Sequence, residues 1–132
     1  INYRCGTGHS VSFVGNVHEG PHALNGRNTT LMRPGMIVTD EPGVYETDLV
    51  GIRIENELVC VHKADNQYGT FLGFEPIMFV PIATSPIVPG VLTKDELDWL
   101  NNYHRQVFEK LAPRLNDEES EWLAKKCAAI GC

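Results

Sequence analysis

The amino-acid sequence changes character near Pro81, and this change limits the folds that the chain can adopt. Before Pro81 the chain has short segments rich in β-branched and aromatic residues, separated by Gly-Pro and Asn-Gly turns, which is typical of β-strands. After a connector with two further prolines (IATSPIVPG), apolar residues recur at helical spacing. Strands followed by helices, rather than alternating with them, indicate an α+β fold.

The first part of the chain contains several predicted strands. They cover residues 10–17, 36–39, 52–63 and 70–82, and the polar break at residues 64–69 suits a hairpin between the last two. We therefore expect a mostly antiparallel sheet in this part.

Two helices are predicted in the second part. Thr93 and Glu96 fit a capping box, and Asn116 and Glu119 repeat the pattern before a second, shorter helix. Pro113 ends the first helix. Because the apolar residues form one stripe, the helices are expected to cover the sheet and to carry no chemistry.

Size and composition exclude some classes of function. A chain of 132 residues is typical of one domain. A net charge of -6 argues against a nucleic-acid partner, and no apolar run is long enough to span a membrane. The four cysteines form no CxxC pair, so free thiols in a reducing compartment are expected. No signal peptide is visible and no Met begins the sequence, from which we expect a fragment of a longer protein.

One histidine and two glutamates lie where predicted strands meet turns. His9 lies in GTGH, Glu41 in DEPG and Glu55 in RIEN. A carboxylate beside an apolar strand needs a cation or hydrogen-bond donors, and such nitrogen and oxygen ligands suit a divalent metal. The pattern indicates metal-assisted hydrolysis. A structural His9, with Arg53 paired to Glu55 across a sheet face, is the alternative without a metal.

These motifs resemble a known family. GTGH followed by NVHEGP, then GMIVTDEPGVYE and GIRIEN, is similar to aminopeptidase P, the Xaa-Pro aminopeptidases of the pita-bread metallopeptidase family. FEPIMFVPI and DELDWLNNYH resemble the C-terminal end of the large three-domain form. The resemblance implies the C-terminal half of a pita-bread domain, a curved antiparallel sheet with covering helices. Residues 1–82 would be its metal-site half, and residues 83–132 a helical extension of the same domain.

The resemblance also implies residue roles. His9, Glu41 and Glu55 would bind two divalent ions, usually Mn²⁺, with Zn²⁺ or Co²⁺ as alternatives. Glu41 would also accept the proton of the attacking water, and Glu55 would bridge both ions. His18 would donate a hydrogen bond to the substrate near the scissile carbonyl, and Arg53 would hold a ligand carboxylate in place.

The sequence departs from the family pattern in three places. Two aspartate ligands of the family lie upstream of GTGH and are not present in this chain. Cys5 stands where the cytosolic enzymes usually have a substrate-binding histidine, and a thiol is a weaker donor. Ser10 and Ser12 replace glycines, which adds side chains near the site.

Two further residues remain open at this point. His22 either lines the mouth of the site and contacts the substrate or belongs to a solvated loop, the more common role of such a histidine. Tyr45 either contacts the substrate or belongs to the core.

The implied activity is removal of the N-terminal residue from peptides with proline in second position. The parent would be a cytoplasmic homodimeric enzyme whose site includes the rest of the same catalytic domain, and the isolated fragment would be inactive or nearly so. A prolidase-like peptidase, or a non-catalytic pita-bread module that binds peptides, is the alternative.

Overall fold

The structure is a computed structural model that describes residues 4–88 and 90–131. The strands are β1 (Gly8–His9), β2 (Ala23–Leu24), β3 (Ile37–Asp40), β4 (Gly43–Glu46), β5 (Val50–Arg53), β6 (Asn56–Asn66) and β7 (Gly69–Pro76). The helices are α1 (Lys94–Leu111), a short 3₁₀ helix (Ala112–Arg114) and α2 (Asp117–Lys126). One compact unit ends at Met78 and contains the strands, and the other begins at Phe79 and contains the helices. The α+β class predicted from the sequence is confirmed.

In the part of the chain that the structure describes, the strands form three small antiparallel sheets. β1 pairs with β2, β4 with β5, and β6 lies between β3 and β7. A bridge from Ser10 to Val38 connects the end of β1 with β3. Val38 and Cys60 are almost completely buried and form the centre of this unit.

Gly8 allows β1 to approach β3 closely. A Cβ atom at Gly8 would overlap the carbonyl oxygen of Thr39 and lie 2.8 Å from its carbonyl carbon. The backbone amide of Glu41 donates to the Thr7 carbonyl at 2.6 Å on the same side. The glycine of GTGH therefore places His9 against the end of β3.

The helical unit has the predicted caps. Thr93 and Glu96 form a complete capping box at α1, and Asn116 and Glu119 form one at α2. Tyr103, Val107 and Leu123 are buried together, with partly buried apolar residues packed around them: Phe79, Ile82, Phe108, Leu111, Leu115 and Cys127. Neither described helix has the length and apolar character that crossing a membrane requires.

Two side chains of α1 bind the segment that leads into the helical unit. The Tyr103 hydroxyl donates to the carbonyl of Val80 at 2.9 Å and accepts from the same residue's amide at 3.3 Å. The fully buried His104 accepts the backbone amide of Ile82 through Nε2 at 3.1 Å. These side chains therefore satisfy backbone groups of Val80 and Ile82, which are not paired with a neighbouring strand in the described part of the chain.

Some predicted strand boundaries are wrong. Residues 11–18 form a loop instead of a strand, closed by a bond of 3.1 Å from the Glu19 amide to the Ser10 carbonyl. Gly15 has φ +138°, a conformation that favours glycine and breaks the extended run. The predicted strand 52–63 is interrupted at Ile54 and Glu55, and the predicted strand 70–82 ends at Pro76.

Candidate active site

Three elements of the strand unit bring candidate side chains together. His9 ends β1, Glu41 directly follows β3, and Arg53 ends β5. Each lies at the end of a strand, where the backbone is held by sheet pairing and the side chain is free to point into a shared space.

The Glu41 carboxylate is held from both sides. Its Oε1 atom lies 3.0 Å from His9 Nε2, and its Oε2 atom accepts from Arg53 NH1 at 2.8 Å. Arg53 also donates to the backbone carbonyl of Glu41. Only 17% of the His9 and Glu41 side chains is exposed, so the pair lies in a partly desolvated place where charges interact more strongly than in water.

The hydrogen bonds of His9 indicate which nitrogen is available. Nδ1 lies 3.0 Å from the carbonyl oxygen of Ser10, which can only accept, so Nδ1 carries a proton. In the neutral ring, Nε2 then presents a lone pair to Glu41 Oε1, another acceptor. Two lone pairs this close require positive charge beside them, either a second proton on His9 or a metal ion. This donor set fits a divalent metal.

His18 is the third member of this group. Its ring centroid lies 4.1 Å from that of His9, with the planes inclined by 41°. One ligand atom each from His9, His18 and Glu41 falls within 4.8 Å of the others. His18 itself is exposed, so it is accessible from solvent on this side of the group.

Glu55 and His22 lie outside this group. Glu55 is exposed, in the two-residue break between β5 and β6, and Arg53 pairs with Glu41 rather than with it. His22 is only 8% exposed, and its Nε2 lies 2.7 Å from the carbonyl oxygen of Ile37. The structure therefore gives His22 a backbone partner inside the strand unit instead of a place in a solvated loop.

Arg53 connects Glu41 with Tyr45. Its Nε donates to the Tyr45 hydroxyl at 2.8 Å, and this hydrogen bond raises the pKa of Arg53. Arg53 therefore stays cationic, and it lies as a hydrogen-bond donor beside the Glu41 carboxylate. Tyr45 is 55% exposed, so it does not belong to the core of the strand unit.

Cys5 is half-buried and donates from Sγ to the carbonyl oxygen of Gly43 at 3.0 Å. Gly43 lies opposite Arg53 in the β4–β5 ladder, so the thiol belongs to the same neighbourhood. Of the two serines that depart from the family pattern, Ser10 is 2% exposed, and its hydroxyl has no hydrogen-bond partner among the described residues.

Thr39 belongs to this site although the motifs did not single it out. This residue is 2% exposed, and its Oγ1 accepts the His9 amide at 3.0 Å and donates to Glu41 Oε1 at 3.3 Å. A usable signal was present, because Thr39 and Glu41 are two residues apart at the end of a strand and side chains alternate in direction along a strand.

Two family descriptions match almost the whole chain. Residues 1–62 match the metallopeptidase family M24, and residues 70–130 match the C-terminal region of peptidase M24. The chain belongs to metallopeptidase family M24. The resemblance to this class of peptidases, predicted from the motifs around His9, Glu41 and Glu55, is thereby confirmed.

Individual relatives agree with this assignment. The M24 chain is 46% identical over 130 residues to aminopeptidase P2 of Arabidopsis thaliana, covering 93% of this chain and 18% of the relative. It is 42% identical to a probable Xaa-Pro aminopeptidase P of Coprinopsis cinerea, covering 98% of this chain and 22% of the relative. The chain thus spans about a fifth of the length of these relatives.

A solved structure shares the fold. The X-prolyl aminopeptidase of Caenorhabditis elegans, described as a cytosolic enzyme with a di-nuclear active site, matches with a TM-score of 0.82 and 39% identity. The match covers 95% of this chain and 21% of that structure. The predicted pita-bread relationship of this M24 chain is therefore confirmed.

Proposed function

We propose that the complete protein containing this chain is an Xaa-Pro aminopeptidase that hydrolyses the bond before a proline in second position. The observation that carries the proposal is the convergence of one ligand atom each from His9, His18 and Glu41 within 4.8 Å. It is supported by the relatives, which are named aminopeptidase P or Xaa-Pro aminopeptidase P.

His9 and Glu41 would hold metal in this site. Their atoms are an imidazole nitrogen and a carboxylate oxygen 3.0 Å apart, a donor set that suits a divalent metal. When bound, two divalent ions supply Lewis acidity and lower the pKa of a water molecule. The di-nuclear site of the Caenorhabditis elegans enzyme supports two ions.

The residues of this chain then perform three tasks. Glu41 takes the proton of the attacking water and passes it to the leaving proline nitrogen. His18 is exposed beside His9 and donates to the carbonyl oxygen as negative charge develops there. Arg53 orients the Glu41 carboxylate through its 2.8 Å hydrogen bond to Oε2.

Glu55 and Cys5 have further proposed roles. Glu55 is two residues beyond Arg53, and we propose it as a further carboxylate that would hold metal in the complete protein. Cys5, bonded to the Gly43 carbonyl beside Arg53, is proposed to contact the substrate in place of a histidine. The nitrogen and oxygen ligands suit Mn²⁺, which we propose as the metal. A cytoplasmic location is proposed by analogy with the cytosolic Caenorhabditis elegans enzyme.

Glu41→Gln in the complete protein tests the proposal. The amide cannot accept the proton, so turnover of an Xaa-Pro peptide should fall by about 100-fold or more, while circular dichroism stays unchanged. Glu46→Gln is the matched control, since Glu46 is an exposed glutamate at the end of β4. Near-normal turnover by Glu41→Gln would refute the proton-acceptor role.

The substrate class needs a second comparison. An aminopeptidase P should release the N-terminal residue from a tripeptide Xaa-Pro-Xaa, whereas a prolidase-like enzyme should favour the dipeptide Xaa-Pro. A protein that binds these peptides without cleaving either would be the peptide-binding module instead.

A further inference from the structure

Thr39 joins the two candidate metal ligands through one hydroxyl group. Its oxygen accepts the backbone amide of His9 at 3.0 Å, and its distance to Glu41 Oε1 is 3.3 Å. Thr39 is 2% exposed, so water does not compete for these bonds. The same Oε1 atom lies 3.0 Å from His9 Nε2.

The direction of these bonds follows from the donors available. A backbone amide can only donate, so the amide of His9 occupies a lone pair of the Thr39 oxygen. An ionised carboxylate can only accept, so the single hydroxyl proton of Thr39 points to Glu41 Oε1. The hydrogen bonds therefore run in one direction, from His9 through Thr39 to Glu41.

The backbone around Thr39 is held firmly. Thr39 lies in β3 and is paired with Glu57 of β6. On its other side, Gly8 approaches so closely that a Cβ atom there would meet the Thr39 carbonyl. The hydroxyl is thus supplied by a strand packed against neighbours on both sides, which suits a group that orients another side chain.

The two oxygens of Glu41 consequently have different anchors. Arg53 fixes Oε2 at 2.8 Å, and Thr39 fixes Oε1 on the side that faces His9. With both oxygens held, the carboxylate plane cannot rotate without breaking one of these hydrogen bonds.

We propose that Thr39 is a positioning residue whose hydroxyl holds Glu41 Oε1 and the His9 strand in the geometry that binds the divalent metal. This inference rests on the proposed function, in which His9 and Glu41 are the ligands. Thr39 acts through Glu41 and His9 and does not itself contact metal or substrate.

Thr39→Val and Thr39→Ser in the complete protein test the inference. Valine keeps the shape and removes the hydroxyl, whereas serine keeps the hydroxyl. Loss of a hydrogen bond that orients a metal ligand typically weakens metal affinity or activity by 10- to 100-fold, so Thr39→Val should weaken Mn²⁺ binding by about tenfold or more. The kcat for an Xaa-Pro peptide should fall with it while KM changes little, and Thr39→Ser should restore both.

A second readout needs neither metal nor substrate. In the metal-free protein the His9 amide is protected by the Thr39 oxygen, so hydrogen exchange in the segment containing His9 should accelerate in Thr39→Val and remain slow in Thr39→Ser. If Thr39→Val does not fold, Thr39→Ala removes the hydroxyl without placing a methyl group against the amide.

Thr70→Val is the matched control. The Thr70 hydroxyl also donates to a carboxylate, Asp65 Oδ1 at 2.7 Å, but on the exposed β6–β7 hairpin. This variant should leave Mn²⁺ affinity and kcat unchanged.

The outcomes separate the two proposals. Thr39→Val with Mn²⁺ affinity, kcat and His9 exchange within twofold of the unsubstituted protein would overturn the role of Thr39. An unsubstituted protein that folds but cleaves no Xaa-Pro peptide would refute the proposed function, while metal affinity and exchange would still decide the role of Thr39.

Discussion

Arg53 NH1 lies 2.8 Å from Glu41 Oε2, twelve residues away in the chain, and the same guanidinium donates to the Glu41 backbone carbonyl. One cation therefore binds both the side chain and the main chain of the residue that the motif DEPG singles out. This contact fixes Glu41 relative to the end of β5.

Arg53→Lys should separate charge from geometry. Lysine keeps a positive charge but lacks the planar fork that reaches Glu41 through NH1 and Tyr45 through Nε. We expect kcat of the complete protein to fall by about 10- to 100-fold. Arg105→Lys is the control, because Arg105 forms an exposed pair with Glu109 on α1. Equal activity of Arg53→Lys and Arg105→Lys would contradict a role for the Arg53 guanidinium geometry in orienting Glu41.

Gly8→Ala should unfold the site locally or prevent its formation. The added Cβ would meet the Thr39 backbone, which cannot move aside like a flexible side chain. Overpacking of this kind costs about 1–3 kcal/mol or more, measurable by urea unfolding. Gly26→Ala provides the comparison, since a Cβ at Gly26 meets no atom within 4 Å. Similar stabilities for the two variants would refute the close approach of β1 and β3.

His104 should make the helical unit sensitive to acid. Burial lowers the pKa of His104 below its ordinary value of 6.5, so from pH 6.5 down to the folded pKa the unfolded chain binds a proton that the folded chain does not. The contribution of neutral His104 to the stability of the folded state is therefore complete above pH 6.5, and it is lost as the pH falls through the folded pKa. Hydrogen exchange of α1 amides should accelerate on acidification.

His104→Gln tests the source of this pH dependence. Glutamine can accept the Ile82 amide through its side-chain oxygen but does not titrate. The variant should therefore show a smaller change in α1 exchange between pH 7.5 and pH 5. If α1 exchange in the variant depends on pH as strongly as in the unsubstituted protein, a group other than His104 causes the acid sensitivity.

Asn101 should hold the C-terminal segment against α1. Its amide group donates to the Ile130 carbonyl and accepts the Ile130 amide, both at 3.0 Å. Asn101→Ala removes two hydrogen bonds, at about 1 kcal/mol each, and should increase proteolysis near Ile130. The neighbouring exposed residue offers a control, and Asn102→Ala should leave the cleavage rate unchanged.

Local features of the fold were predictable from the sequence. Each capping box is formed by two residues three positions apart, such as Thr93 and Glu96. The sequence pattern therefore identifies the same residues that form the hydrogen bonds. Residues 10–17 show the opposite case. Their β-branched and aromatic residues favour a strand, but beyond the bridge at Ser10 the described structure shows a loop in which Phe13 and Val14 are exposed.

The sequence motifs identified His9, His18 and Glu41 as candidates but did not reveal which side chains pair. His9 and Glu41 were recognised from their motifs, whereas the partner of Arg53 depended on which strands lie side by side. Sequence proximity favoured Glu55, two residues away, but tertiary structure selected Glu41. The two-residue spacing of Thr39 and Glu41 indicated a shared face, but nothing in the motif reveals that β1 lies close enough for the His9 amide to reach the Thr39 hydroxyl.

Metal content and peptide cleavage of the complete protein, purified in Mn²⁺, test the central claim most directly. We predict about two ions per chain and release of the N-terminal residue from an Xaa-Pro peptide, as expected for a two-metal peptidase site. A well-folded protein that binds no metal and cleaves no such peptide would contradict the account, and His9 and Glu41 would then be remnants in a peptide-binding module.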